Sequence, residues 1–271
     1  MSHDDPTKDI SQPAANKFAT ATWFLLRPYT WQHLAEMMRR RRAPGLAALE
    51  ATASVAQEWG DPLAVSPAEA IERVLGAGDY PSPVTTHAEA YTEGRRRADD
   101  TGMVLGGAAN LELLYHLVLG LEARQVVETG VAYGWSSLTI LLAQQQLGGG
   151  ALASTDMPYP RAGNEAFVGC VVSDELRPSW TLIRRPDRPA LPQALGQMPK
   201  LDLVHYDSDK TYAGQSWAFR LIWNALRPGG TLIADDIQYQ QAFKDFVEEV
   251  GVDPIIVDGD GKLIGIARKP E

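Results

Sequence analysis

Val126-Val127-Glu128-Thr129-Gly130-Val131-Ala132-Tyr133-Gly134-Trp135-Ser136-Ser137 reads as a buried strand running into a glycine-bearing turn that opens a helix. Glycine adds no Cβ and takes left-handed backbone angles freely, so such a turn lets the main chain approach a ligand closely. The glycines do not complete the G-x-G-x-x-G dinucleotide fingerprint. Tyr133 and Trp135 could offer a cation–π face, though aromatics in such a turn more often pack.

Downstream, short β-rich runs alternate with helical segments. ALASTDM is followed by a helix-compatible stretch to Leu176, then TLIRR, a short helix near Leu191–Leu195, LDLVHYD, a helix from about Ser216 to Leu226, and TLIADDI. Helices are expected to stop at Gly148-Gly149-Gly150 and at Pro228-Gly229-Gly230. Alternation of this kind indicates βαβ units and a parallel sheet. After a helix at Gln241–Val250, PIIVDG and KLIGIARK flank Asp258-Gly259-Asp260-Gly261, a turn suited to a hairpin. The expected fold is α/β: a doubly wound, mostly parallel sheet with an antiparallel C-terminal hairpin strand. Asp-Gly-Asp-Gly lacks the rest of a calcium loop and is read as a turn.

Upstream the pattern is helical. Residues from Met1 to about Lys17 are polar; Ala19–Arg42 is helix-like with a break at Pro28, and two more helices are expected near Gly45–Trp59 and Pro67–Leu75. No strand signal precedes about residue 124. The expected organisation is a helical appendage over residues 1–95 and an α/β domain over 96–271.

Composition narrows the function. The 271 residues are 45% hydrophobic and 22% charged, ordinary for a globular protein. A net charge of -9 weighs against a general nucleic-acid binder, which needs a positive field. Cys170 is the only cysteine, so an intramolecular disulfide is impossible and a Cys-based zinc site unexpected. The acidic start Met-Ser-His-Asp-Asp does not read as a signal peptide, and no apolar run approaches the roughly 20 residues needed to span a bilayer. A cytoplasmic protein is the plain expectation.

Acids gather at the strand ends where an open α/β sheet binds ligands. Asp156 closes ALASTD, one βα unit after the glycine turn, where an acid typically accepts hydrogen bonds from ribose hydroxyls. Leu201–Tyr206 delivers Asp207-Ser208-Asp209-Lys210, and Thr231–Ala234 delivers Asp235-Asp236. Asp207, Asp235 and Asp236 would repel one another without a neutralising cation, and oxygen ligands suit Mg²⁺. The alternative is a solvated strand edge with no metal, Asp207 touching only the cofactor.

The turn resembles the E-x-G-x-x-x-G-x-S signature of class I S-adenosylmethionine-dependent methyltransferases, the catechol and caffeoyl-CoA O-methyltransferases in particular. The resemblance covers about residues 100–271, with Met103–Leu117 as the helix before the first strand. It implies that Glu128, Gly130 and Ser136 line the methionine end of the cofactor, with Tyr133 and Gly134 also among the cofactor-binding residues. Asp207, Lys210 and Asp235 match the metal-dependent pattern; Asp236 replaces its Asn and resembles the Asp-Asp pair of macrolide-sugar O-methyltransferases. That departure favours a small sugar-type diol over a catechol. The implied mechanism has Mg²⁺ on Asp207, Asp235 and Asp236 chelating two acceptor oxygens, with Lys210 taking a hydroxyl proton. Asp209 and His205 are weaker base candidates, a lone strand histidine being more often a core residue.

Two competing readings remain at this stage: a metal-independent methyltransferase, and a non-catalytic methyltransferase-like binding protein. The Arg39–Arg42 and Arg95–Arg97 runs read first as solvated faces, second as a peripheral membrane contact. Trp23 and Trp31 could serve a homodimer, and by the resemblance the N-terminal helices form a lid over the acceptor.

Overall fold

The computed structural model describes residues 22–42, 44–158, 163, 165–259 and 261–271. The N-terminal part holds α1 (Trp31–Arg41), α2 (Pro44–Glu50), α3 (Ala53–Gly60), β1 (Ala64–Val65), α4 (Pro67–Leu75), α5 (Pro83–Thr86) and α6 (Ala88–Asp99). Then come α7 (Leu111–Gly120), β2 (Gln125–Thr129), α8 (Trp135–Gln146), β3 (Ala151–Thr155), β4 (Trp180–Ile183) and α9 (Asp187–Gly196). The chain closes with β5 (Leu201–Tyr206), α10 (Tyr212–Ala225), β6 (Leu226–Ala234), α11 (Ala242–Val250), β7 (Ile255–Asp258) and β8 (Leu263–Arg268).

The strands form one sheet in the order β1-β7-β8-β6-β5-β2-β3-β4. Every pairing is parallel except those of β8, which runs antiparallel to both β6 and β7. This is the doubly wound sheet with a C-terminal hairpin expected from the sequence. The strand order reverses between β2 and β5, and the crevice beyond their C-terminal ends is where such sheets bind ligands.

Side-chain alternation divides the core. Val126 and Leu203 pack with Leu113, Leu117, Leu138 and Leu141 on one face, while Val127, Val204 and Tyr206 pack with Phe219, Phe243 and Phe246 on the other. Successive strand residues point to opposite faces, so Glu128 shares the first face with Val126, and His205 shares it with Leu203. Their side chains are therefore committed to the interior before any ligand is considered.

Several local expectations are corrected. Residues 64–65 form a strand, β1, parallel to β7, though nothing before residue 124 reads as one; a two-residue edge pairing is too short to leave a periodicity. Gly45–Trp59 is two helices, α2 and α3, separated at Ala51 and Thr52. No α-helix lies between β3 and β4 among the described residues, only a single 3-10 turn at Arg177–Ser179. α7 starts at Leu111, where Asn110 Oδ1 accepts from the Leu113 amide at 2.9 Å, and not at Met103. Pro228-Gly229-Gly230 falls inside β6, at a register shift against β5, because α10 has already ended at Ala225. Ala19 of the first expected helix lies outside the described residues; within them, residues 22–25 are helical. No helix among the described residues is long and apolar enough to cross a membrane.

Candidate active site

Gly130 and Gly134 make the turn after β2 possible. Their φ angles are 79° and 93°, in the left-handed region that glycine tolerates. A Cβ on Gly130 would overlap the Asp207 carbonyl oxygen, and one on Gly134 would come within 2.9 Å of the Gly169 Cα. The turn is braced from below by Asp156, whose Oδ2 accepts from the amides of Val131 (3.0 Å) and Ala132 (3.2 Å). Arg184 Nη1 stands 3.6 Å from its other oxygen. Burial raises the Asp156 pKa, outweighing Arg184 and the two amides. Ser136 is buried in the first turn of α8, and Tyr133 donates its hydroxyl to the Met103 carbonyl. Trp135 stacks on Tyr91, ring centroids 6.2 Å apart, with the Arg95 guanidinium 5.3 Å above it.

Beneath the turn runs a buried polar row. Register pairs Ser154 with Glu128, and Glu128 with His205. Trp180 Nε1 donates to Ser154 Oγ at 2.8 Å, Ser154 Oγ donates to Glu128 Oε2 at 2.8 Å, and Ser137 donates to the same oxygen. His205 lies between two carboxylates, Nδ1 3.6 Å from Glu128 Oε1 and Nε2 3.5 Å from Asp235 Oδ1. These distances are long for hydrogen bonds, and both ring nitrogens lack a hydrogen-bond partner. Burial works against a charged imidazole, but Asp235 and Glu128 outweigh it and hold the pKa up at about 10. Glu128 is itself completely buried, its carboxylate turned to Ser137, Ser154 and His205.

The strand-end acids do come together. Lys210 Nζ donates to Asp207 Oδ1, lies 3.1 Å from Asp236 Oδ2, and reaches the Asp235 carbonyl at 3.3 Å. Burial opposes its charge; Asp207, Asp236 and Asp235 outweigh burial and raise the Lys210 pKa. The Asp207 carboxyl is pushed up by burial and by Asp235, against the pull of Lys210 and His205. Asp235 is held down because His205 and Lys210 overcome its burial. Asp236 adopts φ 60°, and its Oδ1 faces Lys262 Nζ at 3.6 Å. Asp209 is not free to act as a base: Arg40 donates to it at 3.0 Å, and Thr211 donates both its amide and its hydroxyl.

The N-terminal helices are fastened to the loops that carry these acids. Arg40 of α1 also donates to Thr211 Oγ1 at 2.6 Å. Glu36 holds Arg40 at 3.4 Å and Arg188 at 3.0 Å. Glu50 at the end of α2 accepts from the Tyr212 amide at 2.7 Å, placing a carboxylate at the N-terminus of α10 where the helix dipole favours it. Thr52 Oγ1 accepts from the Gln241 amide at 3.0 Å. The Arg39–Arg42 run is therefore not one solvated face: Arg39 is exposed, while Arg40 is an internal tie. In the second run Arg96 pairs with Glu93 and Asp100, and Arg97 donates to the Val172 carbonyl at 3.2 Å. Trp23 is buried edge-on to Phe24, whereas Trp31 is exposed.

Residues 127–237 match the family described as "Methyltransferase domain". Among solved structures, the chain is similar to cofactor-bound Rv0187 from MTB, with 14% identity, 71% of this chain and 100% of the other covered, and a TM-score of 0.55. It is also similar to the O-methyltransferase TomG from Streptomyces achromogenes, solved with SAM and involved in tomaymycin synthesis. There the identity is 17%, the coverage 78% and 98%, and the TM-score 0.52. For an O-methyltransferase from Bacillus cereus in complex with SAH, the values are 16%, 79% and 100%, and 0.50. No curated protein matches the chain.

Proposed function

We propose, from the match of residues 127–237 to a methyltransferase domain and from the class I sheet, that this chain is an S-adenosylmethionine-dependent O-methyltransferase acting on a small diol, with a divalent cation at the strand-end acids. The observation that carries this reading is the contact of the Gly130 turn with the Asp207 backbone, which brings the cofactor turn and the Asp207–Lys210–Asp235–Asp236 cluster to one crevice. The SAM and SAH held by two of the similar structures support the choice of cofactor.

The donor set fits a cation. Asp207, Asp235 and His205 each offer a ligand atom within 4.8 Å of one another, and Asp236 Oδ1 is buried without a hydrogen-bond partner. Asp207 and Asp235 would hold the ion. When bound, it supplies Lewis acidity that lowers the pKa of an acceptor hydroxyl. Gly130 keeps the turn close to Asp207, so donor and acceptor are held at one edge, where proximity contributes much of the acceleration. The acceptor hydroxyl gives its proton to Lys210, its oxygen bonds to the methyl carbon, and the carbon–sulfur bond breaks to leave S-adenosylhomocysteine. Lys210 must first shed its own proton, so the reaction requires the acids around it to be neutralised by something other than the ammonium.

One observation favours a second reading. Lys210 and His205 already bring two cationic groups to this acid cluster. In a metal-independent enzyme Asp207, its pKa raised by burial and by Asp235, would take the proton. Methyl transfer from labelled S-adenosylmethionine to a panel of sugars, catechols and their mono-deoxy analogues, with and without EDTA, separates the two. Loss of diol methylation with EDTA, restored by divalent cation, supports the metal-dependent reading. Turnover indifferent to chelator supports the second, and transfer to no hydroxyl overturns O-methylation.

A further inference from the structure

We propose that the cation site of this chain is built from His205, Asp207 and Asp235, with Glu128 orienting the imidazole. It then takes a transition-metal ion such as Mn²⁺ or Co²⁺ in preference to Mg²⁺. The inference deepens the reading above and rests on its cation. It replaces the all-oxygen set of Asp207, Asp235 and Asp236 that the sequence pattern suggests.

The buried row carries the argument. His205 is wholly buried between two carboxylates, with Nε2 3.5 Å from Asp235 Oδ1 and Nδ1 3.6 Å from Glu128 Oε1, distances that leave both ring nitrogens without a close hydrogen bond. Nε2 is on the side of Asp235, at 3.5 Å, and a ring nitrogen of His205 lies within 4.8 Å of carboxylate oxygens of Asp207 and Asp235. Nδ1 is on the side of Glu128 Oε1, which is likewise buried and without a hydrogen-bond partner. The other Glu128 oxygen is pinned by Ser137 and Ser154, so the carboxylate cannot turn away. A carboxylate behind one imidazole nitrogen, with an acid of the cluster before the other, is the usual support of a metal-bound histidine, fixing its tautomer and ring plane. Asp236 faces two lysines, Lys210 Nζ at 3.1 Å and Lys262 Nζ at 3.6 Å, whereas among the described residues Asp207 faces Lys210 alone.

The donor set decides the ion. Mg²⁺ prefers oxygen ligands and keeps much of its water, whereas an imidazole nitrogen favours later first-row ions. The row also explains why Glu128 is turned inward beneath the glycine turn, since a metal-bound His205 needs an acceptor there.

The test is to add Mn²⁺ to the full chain saturated with S-adenosylhomocysteine and follow the free ion by electron paramagnetic resonance. Pulsed spectra of the bound ion then report coupling to an imidazole nitrogen. Saturable binding with nitrogen coupling is expected, displaced by Mg²⁺ only in large excess. His205→Gln should abolish the coupling, and Glu128→Gln should weaken binding by about tenfold or more while leaving the coupling detectable. Should either variant fail to fold, the wild-type spectrum decides. Bound Mn²⁺ without nitrogen coupling overturns the inference and leaves the methyl-transfer reading standing, with an all-oxygen site. Equal affinity for Mg²⁺ overturns the ion preference. No Mn²⁺ binding while S-adenosylhomocysteine still binds removes the cation site in favour of the metal-independent enzyme. Failure of S-adenosylhomocysteine to bind strikes the methyltransferase reading itself.

Discussion

Gly130 shows how one residue serves both structure and site. Its positive φ and its contact with the Asp207 carbonyl leave no room for a side chain. Gly130→Ala should destabilise the protein by at least about 1–3 kcal/mol from backbone strain alone. It should also weaken S-adenosylhomocysteine binding, both readable by denaturant titration and calorimetry. His205 makes a second prediction, through pH. Its folded pKa of about 10 lies above the ordinary 6.5, so between those values the native state holds a proton that the unfolded chain has lost. The stabilisation is complete below pH 6.5 and drains away as pH rises through about 10. In chelator, the melting temperature of the wild type should therefore fall across this window, and His205→Gln should flatten the slope. A slope unchanged in the variant would mean that other groups carry it.

At the scale of elements, α1 and α2 are held over the site by few polar ties. Removing the guanidinium in Arg40→Ala deletes bonds to Asp209, Thr211 and Glu36. A hydrogen bond to a charged partner contributes about 1.5–3 kcal/mol, which corresponds to roughly a tenfold or greater rise in local opening. Hydrogen exchange should quicken in α1 while β2 and β5 stay protected, because the ties lie outside the sheet ladder. The acceptor KM should rise more than kcat falls if α1 forms part of the acceptor wall. Exchange that quickens equally in β5 would show that α1 supports the whole core. In α10, Phe219 is fully buried against Tyr206, Phe243 and Phe246. Phe219→Ala should cost about 3–5 kcal/mol by leaving a cavity under the Asp207 loop.

For the molecule as a whole, the sheet carries both halves of the site, so ligand binding should register as global stability. S-adenosylhomocysteine at a hundredfold excess over its Kd should add about 2.7 kcal/mol. The melting temperature should then rise by roughly 5–10 °C for a chain near this size, as measured by scanning calorimetry. A ligand that bound without raising it would have to bind the unfolded chain equally well.

The mostly parallel sheet, the C-terminal hairpin and the gathering of Asp207, Lys210, Asp235 and Asp236 were legible in the chain because each rests on a local signal. Alternation of strand and helix implies a parallel sheet, and strand-end residues then meet at one edge. β1 was not legible, since two residues carry no period. Nor were the ties from Arg40, Glu50 and Thr52, which join positions more than 150 residues apart. The Glu128–His205–Asp235 row belongs between these cases. An acid in QVVET and a histidine in LDLVHY are visible odd residues in apolar strands, but their meeting depends on a register that neither segment encodes. A strand specifies which of its residues face inward, through its two-residue period. Which strand lies beside it, and at what offset, is set only when the whole sheet packs against its helices.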